Sequence, residues 1–452
     1  MSITNPADSA KSNVSALPSF QQRSLQTVWH PCTQMKLHET YPLVPIVRGE
    51  GVWLYDADGN GYLDAIGSWW VNLFGHTHPA INAAIKDQLD KIEHVMLAGF
   101  THEPVVALSE RLASITPGDL GHCFYASDGA SATEIALKMS FHYWQLAGKP
   151  NKTQFVSLQN DYHGETLGAL SVTDVGIFKK TYAPLLRPCT HVMTPDWRYA
   201  KHGESAEHYA LRSAAALEEH LSRHHDETAA LIIEPLIQGA MGMGMYHPVY
   251  LKHAREICDR YQVHLIADEI AVGFGRTGTM FACEQADIAP DFLCLAKGLS
   301  GGYLPLSVVL TTDTVYQRFY DDKSSHAFLH SHTHTGNALA CRTALAVLDI
   351  FEQDNVLETN KIKTEYLNQA AAALSSHPKV RHFRNCGMIW AFEVDTEIEQ
   401  FSQKFFQAGL TQRLLLRPLG KTVYFMPPYI ITEEEIDLLV NGTLHILNTL
   451  EQ

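Results

Sequence analysis

Three short runs in the middle of the chain, "LIIE", "LIAD" and "LCLAK", carry apolar residues straight into an ionisable one: Glu234, Asp268 and Lys297. Apolar runs without polar alternation fit strands buried on both faces. "TQFVSLQ", "AALIIEPL", "VHLIADEI" and "DFLCLAK" read as such strands, while "AINAAIKDQLDKI", "EPVVALSERLASI" and "ASATEIALKMSFHYWQLAG" carry helical spacing. The alternation predicts an α/β fold, a largely parallel sheet with helices on both faces. Beyond residue 336, "GNALACRTALAVLDIFEQ", "MIWAFEVD" and "TVYFMPPYII" predict a smaller α+β lobe. Near the start, "GEGVWLYDADGNGYLDAIGS" reads as a hairpin and as the first ordered element. Its Asp56, Asp58, Asn60 and Gly61 fall at calcium-loop offsets, but Gly67 stands where the bidentate Glu is needed, so the hairpin is the reading.

Ligands of open parallel sheets bind beyond the carboxyl ends of strands, so the three ionisable ends can share one crevice. Each alone is more often a solvated residue. Lys297 runs into "GLSGG", where the backbone must turn; it either caps a strand end in water or sits in a dry cleft as an amine nucleophile. In "YASDGASATEIALKM", Gly129 and Ala130 open a helix with Asp128 or Ser131 as N-cap. That helix start suits a phosphate, and an ordinary cap fits equally well. "NDYHGETLGA" places Tyr162 and His163 in a turn, where an aromatic can stack on a planar ring or simply mark a domain edge. A lysine for an aldehyde, an acid for a pyridine nitrogen, an anion site and an aromatic together specify pyridoxal phosphate better than any other cofactor.

Two other motifs are weaker. "GFGRTG" at 273–278 matches a dinucleotide pattern, but neither the following helix nor the acidic residue about 20 positions on is evident. His330, His332 and His334 alternate in "HAFLHSHTHTGN", without a matched carboxylate or Cys, so structural or phosphate-contacting roles are expected over a metal site. The net charge of -15 argues against nucleic acid and anionic membrane partners. No apolar stretch reaches spanning length, and the polar opening "MSITNPADSAKSNVSALPSF" lacks a signal pattern, which predicts a cytoplasmic protein with a loose leader over 1–24. The eight cysteines are scattered and read as core fillers of a reducing compartment, with Cys32 the exception.

The run "LIADEIAVGFGRTGTMFACEQADIAPDFLCLAKGLSGGYLPLS" resembles the signature of the class III aminotransferases, fold-type I pyridoxal phosphate enzymes, and the resemblance extends from about residue 25 over nearly the whole chain. It implies a large domain over 76–335 with a mostly parallel seven-stranded sheet, a small α+β domain over 336–452, and an N-terminal segment, 25–75, joining the small domain. It implies Lys297 as the Schiff-base lysine, Asp268 at the pyridine nitrogen, Gly129 and Ala130 at the phosphate, and Tyr162 against cofactor and substrate. Trp69, Trp70, Ser331 and Tyr424 match substrate-pocket positions, whereas Trp69 and Trp70 read alone are also ordinary core aromatics. Arg417 matches a carboxylate-binding arginine, a task suited to a planar, permanent charge. Arg276 and Glu234 match positions near the site, and His332 and Thr333 match residues that reach the phosphate of a neighbouring subunit, implying a homodimer.

The shorter motifs "VWHPCTQM", "GSWWVNLFGHTHP" and "LLLRPLGKTVYFMPPYIIT" resemble the biotin-pathway branch of that family. They imply 8-amino-7-oxononanoate as acceptor and S-adenosylmethionine as donor. Another ω-amino acid transaminase, lysine as donor, an aminomutase or racemase, and a non-catalytic binding protein remain alternatives. Cys32 stands on the donor side, where a tyrosine is frequent, and His332 where a proline is frequent. The first puts a phenol's role there in doubt; a backbone N–H serves a phosphate from either residue at the second.

Overall fold

The unalternating apolar runs form the middle of a seven-stranded sheet in the computed structural model, which describes residues 19–450. In chain order the strands are β1 (Ile46–Glu50), β2 (Trp53–Asp56), β3 (Gly61–Asp64), β4 (His122–Ala126), β5 (Gln154–Leu158), β6 (Thr190–Val192), β7 (Thr228–Ile233) and β8 (Ile237–Gln238). There follow β9 (Gly244–Met245), β10 (His264–Asp268), β11 (Phe292–Leu295), β12 (Ser307–Thr311), β13 (Val380–Cys386), β14 (Ile389–Val394), β15 (Leu414–Leu415) and β16 (Thr422–Phe425).

The large sheet runs β4-β12-β11-β10-β7-β5-β6. Strand β12 is antiparallel to both its neighbours, and the pairs from β11 through to β6 are parallel, so β12 alone opposes the other strands. Strands β7, β10 and β11 are buried at every residue, as a sheet covered on both faces requires. The expected helices form at Pro79–Leu89, Glu103–Ile115, Gly129–Leu146 and Ala338–Gln353. Asp128 caps the third by accepting from the Ser131 N–H, and Asn337 the fourth by accepting from the Ala340 N–H.

Strands β2 and β3 pair as the expected hairpin; the Asp56 carboxylate accepts from the Asp58 and Asn60 N–H groups, the Asn60 amide and the Tyr62 hydroxyl, closing the turn. It is not the first element. A helix at Phe20–Thr27 precedes it, closed by a capping box between Ser19 and Gln22. That helix buries none of its residues, so it leaves no apolar periodicity to read. Residues 1–18 of the expected leader lie outside the described residues.

Beside the short antiparallel pair β8-β9, two smaller sheets complete the frame among the described residues. Strand β15 joins the hairpin sheet, pairing parallel with β3 through Leu414–Leu63 and Leu415–Asp64. The other sheet, β13-β14-β16, is antiparallel and carries Tyr424 opposite Ala391. The fully buried Arg276 ties these parts together, donating to the carbonyls of Asn72 and Pro427 at 2.9 and 2.7 Å.

Candidate active site

Because β4, β5, β7, β10 and β11 point the same way, the residues at or just past their carboxyl ends meet at one edge of the sheet. These are Gly129, Tyr162, Glu234, Asp268 and Lys297. Asp268 ends β10 and is buried; its Oδ1 accepts from the Ile270 N–H (3.1 Å) and its Oδ2 lies 2.8 Å from His163 Nδ1. The other ring nitrogen of His163 is 3.4 Å from the buried Asp161 carboxylate. Burial alone would lower the His163 pKa, but the hydrogen bonds and charges of Asp161 and Asp268 outweigh it and raise it to about 10. Asp268 is therefore backed by an imidazolium at neutral pH.

Lys297 opens a single 3-10 turn after β11, with a left-handed φ of 42°. Its Nζ lies 4.3 Å from the centroid of the Trp70 ring, and no hydrogen-bond acceptor holds it among the described residues. Desolvation lowers its pKa to about 8 against the opposing charges of Asp268 and Glu234. An amine in this state is a usable nucleophile and base near neutral pH. Glu234 accepts from the Tyr162 N–H (2.8 Å) and the Gly239 N–H (3.0 Å), and burial, then the Asp161 charge, pushes its pKa up to about 8.

The opposite wall is an unusual piece of backbone. Gly67, Ser68, Trp69 and Trp70 are all left-handed, with φ of 54°, 46°, 71° and 75°. For the three that bear side chains this costs roughly 1–2 kcal/mol each, so the surroundings must impose it. Trp70 is buried and its Nε1 donates to the Tyr424 hydroxyl at 3.1 Å. Trp69 is 39% exposed, and the Arg417 guanidinium sits 4.4 Å from its ring centroid. Arg417 follows β15, whose pairing with β3 is what brings it here. Among the described residues it forms no ion pair. Tyr162 donates from its hydroxyl to Glu165 Oε1 (2.9 Å). Cys32 is exposed; burial of the thiol and the Glu165 charge raise its pKa against the pull of Arg417, so it is no activated thiolate.

Some expected site residues stand apart. The hydrogen bonds of His332 run to His330 and Thr335, while Ser331 and Thr333 are exposed; none of these contacts reaches the cleft within one chain. Arg276 faces backbone carbonyls and the Tyr429 ring, deep under the turn and not in the open pocket. "GFGRTG" forms turns followed by a short 3-10 helix, Ala282–Ala286, with no helix start for a dinucleotide. The sequence reading missed Asp161, Glu165 and Asp64. Asp161 and Glu165 flank "YHG", and only the fold sets them against His163 and Tyr162.

The sequence profile described as Aminotransferase class-III matches residues 35–447. The chain is a class-III aminotransferase. It is 48% identical to the adenosylmethionine-8-amino-7-oxononanoate aminotransferase of Helicobacter pylori, over 95% of this chain and 97% of that one. Its identity to the protein of the same name from Geobacter sulfurreducens is 40%, over 96% and 99% of the two chains. Among solved structures, the Methanocaldococcus jannaschii protein of that name superposes with a TM-score of 0.89 at 36% identity, covering 95% of this chain and 98% of that one. An omega transaminase from Pseudomonas jessenii, solved in complex with PMP, gives 0.91 at 29% identity, covering 95% and 98%. Class-III aminotransferases are pyridoxal phosphate enzymes of fold type I, and the seven-stranded sheet of this aminotransferase is the one that the resemblance implied.

Proposed function

We propose that this aminotransferase moves the amino group of S-adenosylmethionine onto 8-amino-7-oxononanoate, giving 7,8-diaminononanoate for biotin biosynthesis. The observation that carries the reading is the 48% identity to the Helicobacter pylori protein along nearly the whole chain, against 29% to the Pseudomonas jessenii omega transaminase. The test is product formation from each candidate donor with the acceptor held constant. An ω-amino acid transaminase would use other ketones, and an aminomutase or racemase would need no second substrate.

Pyridoxal phosphate, when bound, supplies an aldehyde to receive the amino group and a ring to take up carbanion density. The residues fit it. The N–H groups of Gly129 and Ala130 open the helix without partners among the described residues, because the Asp128 cap serves only Ser131. A Cβ on Gly129 would lie 2.9 Å from Ile270, so this approach is kept clear by glycine. Asp268, with His163 behind it, would hold a proton at the pyridine nitrogen. Lys297 would hold the group through its aldehyde, and its amine, once freed by the incoming donor amine, would be the one base that takes a proton from the substrate carbon and returns it. Trp70, its ring centroid 4.3 Å from the Lys297 amine, shields it from water. Arg417 binds a substrate carboxylate, and Glu165, at the Tyr162 hydroxyl, suits the cationic end of the donor.

The pH at which cofactor-free protein takes up pyridoxal phosphate follows from the lysine. Below about 8 its amine is protonated and cannot add to the aldehyde, so the rate of incorporation should rise through a midpoint near 8. A midpoint near the ordinary 10.5 would contradict the dry cleft.

Arg417→Ala should raise KM for carboxylate substrates by an amount worth roughly 2–5 kcal/mol, the range for truncating one partner of a desolvated charge pair. Arg417→Lys should recover only part of it, since an ammonium cannot form the bidentate contact or stack equally on Trp69. Unchanged steady-state constants in both variants would place Arg417 outside the pocket.

We read the enzyme as a cytoplasmic homodimer, with residues 76–335 as the cofactor lobe, 336–452 as the smaller lobe and 25–75 as its N-terminal partner. Exposed apolar side chains in and beside the histidine segment, Met96, Phe100 and Leu329, support a second copy there, and with it roles for Ser331, His332 and Thr333 across the interface. Among the described residues no helix is long and apolar enough to cross a membrane.

A further inference from the structure

The Gly67–Trp70 turn is left-handed at four successive residues, and only the first is a glycine. Something outside the turn must hold it. Asp64, the last residue of β3, is completely buried and commits its whole carboxylate to that task. Its Oδ1 accepts from the Ser68 N–H (2.9 Å), and its Oδ2 accepts from the Ser68 hydroxyl (2.7 Å) and lies 3.1 Å from His76 Nε2. No Lys or Arg pairs with it among the described residues.

His76 closes the other end. With its proton on Nε2 toward Asp64, its Nδ1 accepts from the Asn72 amide at 3.2 Å, and Asn72 Oδ1 accepts from the Gly75 N–H at 2.7 Å. The chain leaving the turn is thus fastened back to the carboxylate that begins it. There is no slack beneath: a Cβ on Gly67 would lie 3.0 Å from Arg276 Nη2, Asn72 O and Met426 O. The result is two adjacent indoles, one facing the Lys297 amine at 4.3 Å and one facing the Arg417 guanidinium at 4.4 Å.

We infer that Asp64, buttressed by His76, is a positioning residue for substrate specificity. It fixes the left-handed turn and so sets how far a substrate carboxylate at Arg417 stands from the reacting amine. The inference rests on the proposed assignment of Lys297 and Arg417 to the pocket. If Asp64 merely finished β3, its loss would reduce the amount of folded protein and leave KM unaltered.

The experiment uses the loaded enzyme with Asp64→Asn and Ser68→Ala, the second removing only the hydroxyl bond. KM for 8-amino-7-oxononanoate should rise at least tenfold in the first and about threefold in the second, with kcat within threefold of wild type. Near-ultraviolet circular dichroism of the cofactor-free proteins should show an altered tryptophan band with unchanged far-ultraviolet spectra. KM within twofold of wild type in Ser68→Ala together with an unaltered tryptophan band would overturn the inference, and Ser68→Ala decides it if Asp64→Asn does not fold. Should wild type fail to use 8-amino-7-oxononanoate, the proposed substrate falls. The same KM comparison, with the same thresholds, is then made on 6-aminohexanoate, and the dichroism is unaffected.

Discussion

Lys297→Ala should abolish turnover. The side chain is asked both to bind the cofactor aldehyde and to shuttle the proton, and general acid–base work alone is typically worth about 100- to 10,000-fold. The loss should therefore be at least at the upper end of that range. Cofactor should remain partly bound, because the Gly129–Ala130 helix start and Asp268 are built on other strands. The visible spectrum of the variant should be that of cofactor not joined to lysine. A wild-type spectrum with full activity would remove Lys297 from the chemistry.

Asp268→Ala is expected to be nearly as severe. It removes the acid proposed to face the pyridine nitrogen, and it leaves His163 buried with Asp161 as its remaining carboxylate. Truncating one partner of such a buried pair costs roughly 2–5 kcal/mol, read as weaker cofactor binding in a titration, with a still larger fall in kcat. Stability should report the same change. The folded His163 is raised from 6.5 to about 10, so its contribution is fully present below pH 6.5 and is lost as pH rises through about 10. In the variant that loss should begin at lower pH, visible as a Tm that falls earlier between pH 7 and 10. Identical Tm profiles would show that Asp268 does not hold the imidazolium.

What the sequence makes legible follows burial. Glu234, Asp268 and Lys297 stand out together because β7, β10 and β11 are dry on both faces and lie side by side, whereas each alone reads as a solvated strand end. Asp128 announces its helix because capping is local chemistry. His163 is visible as a residue but not as a relay, since Asp161 lies two positions away and Asp268 more than a hundred. Trp70 meets Tyr424 across 354 residues, and β15 meets β3 only in the folded chain. The left-handed "GSWW" turn is hidden altogether: only its glycine favours that backbone, and the carboxylate that imposes it sits in the preceding strand. The helix at Phe20–Thr27 escaped for the opposite reason, as it buries nothing.

The identity of the two substrates is tested most directly by following the transferred nitrogen. Purified holoenzyme is incubated with 8-amino-7-oxononanoate and either S-adenosylmethionine or lysine, the donor amino group carrying heavy nitrogen, and the products are resolved by mass spectrometry. Singly labelled 7,8-diaminononanoate is expected with S-adenosylmethionine and none with lysine. Unlabelled or absent product with S-adenosylmethionine, or labelled product with lysine alone, would contradict the proposed pair of substrates.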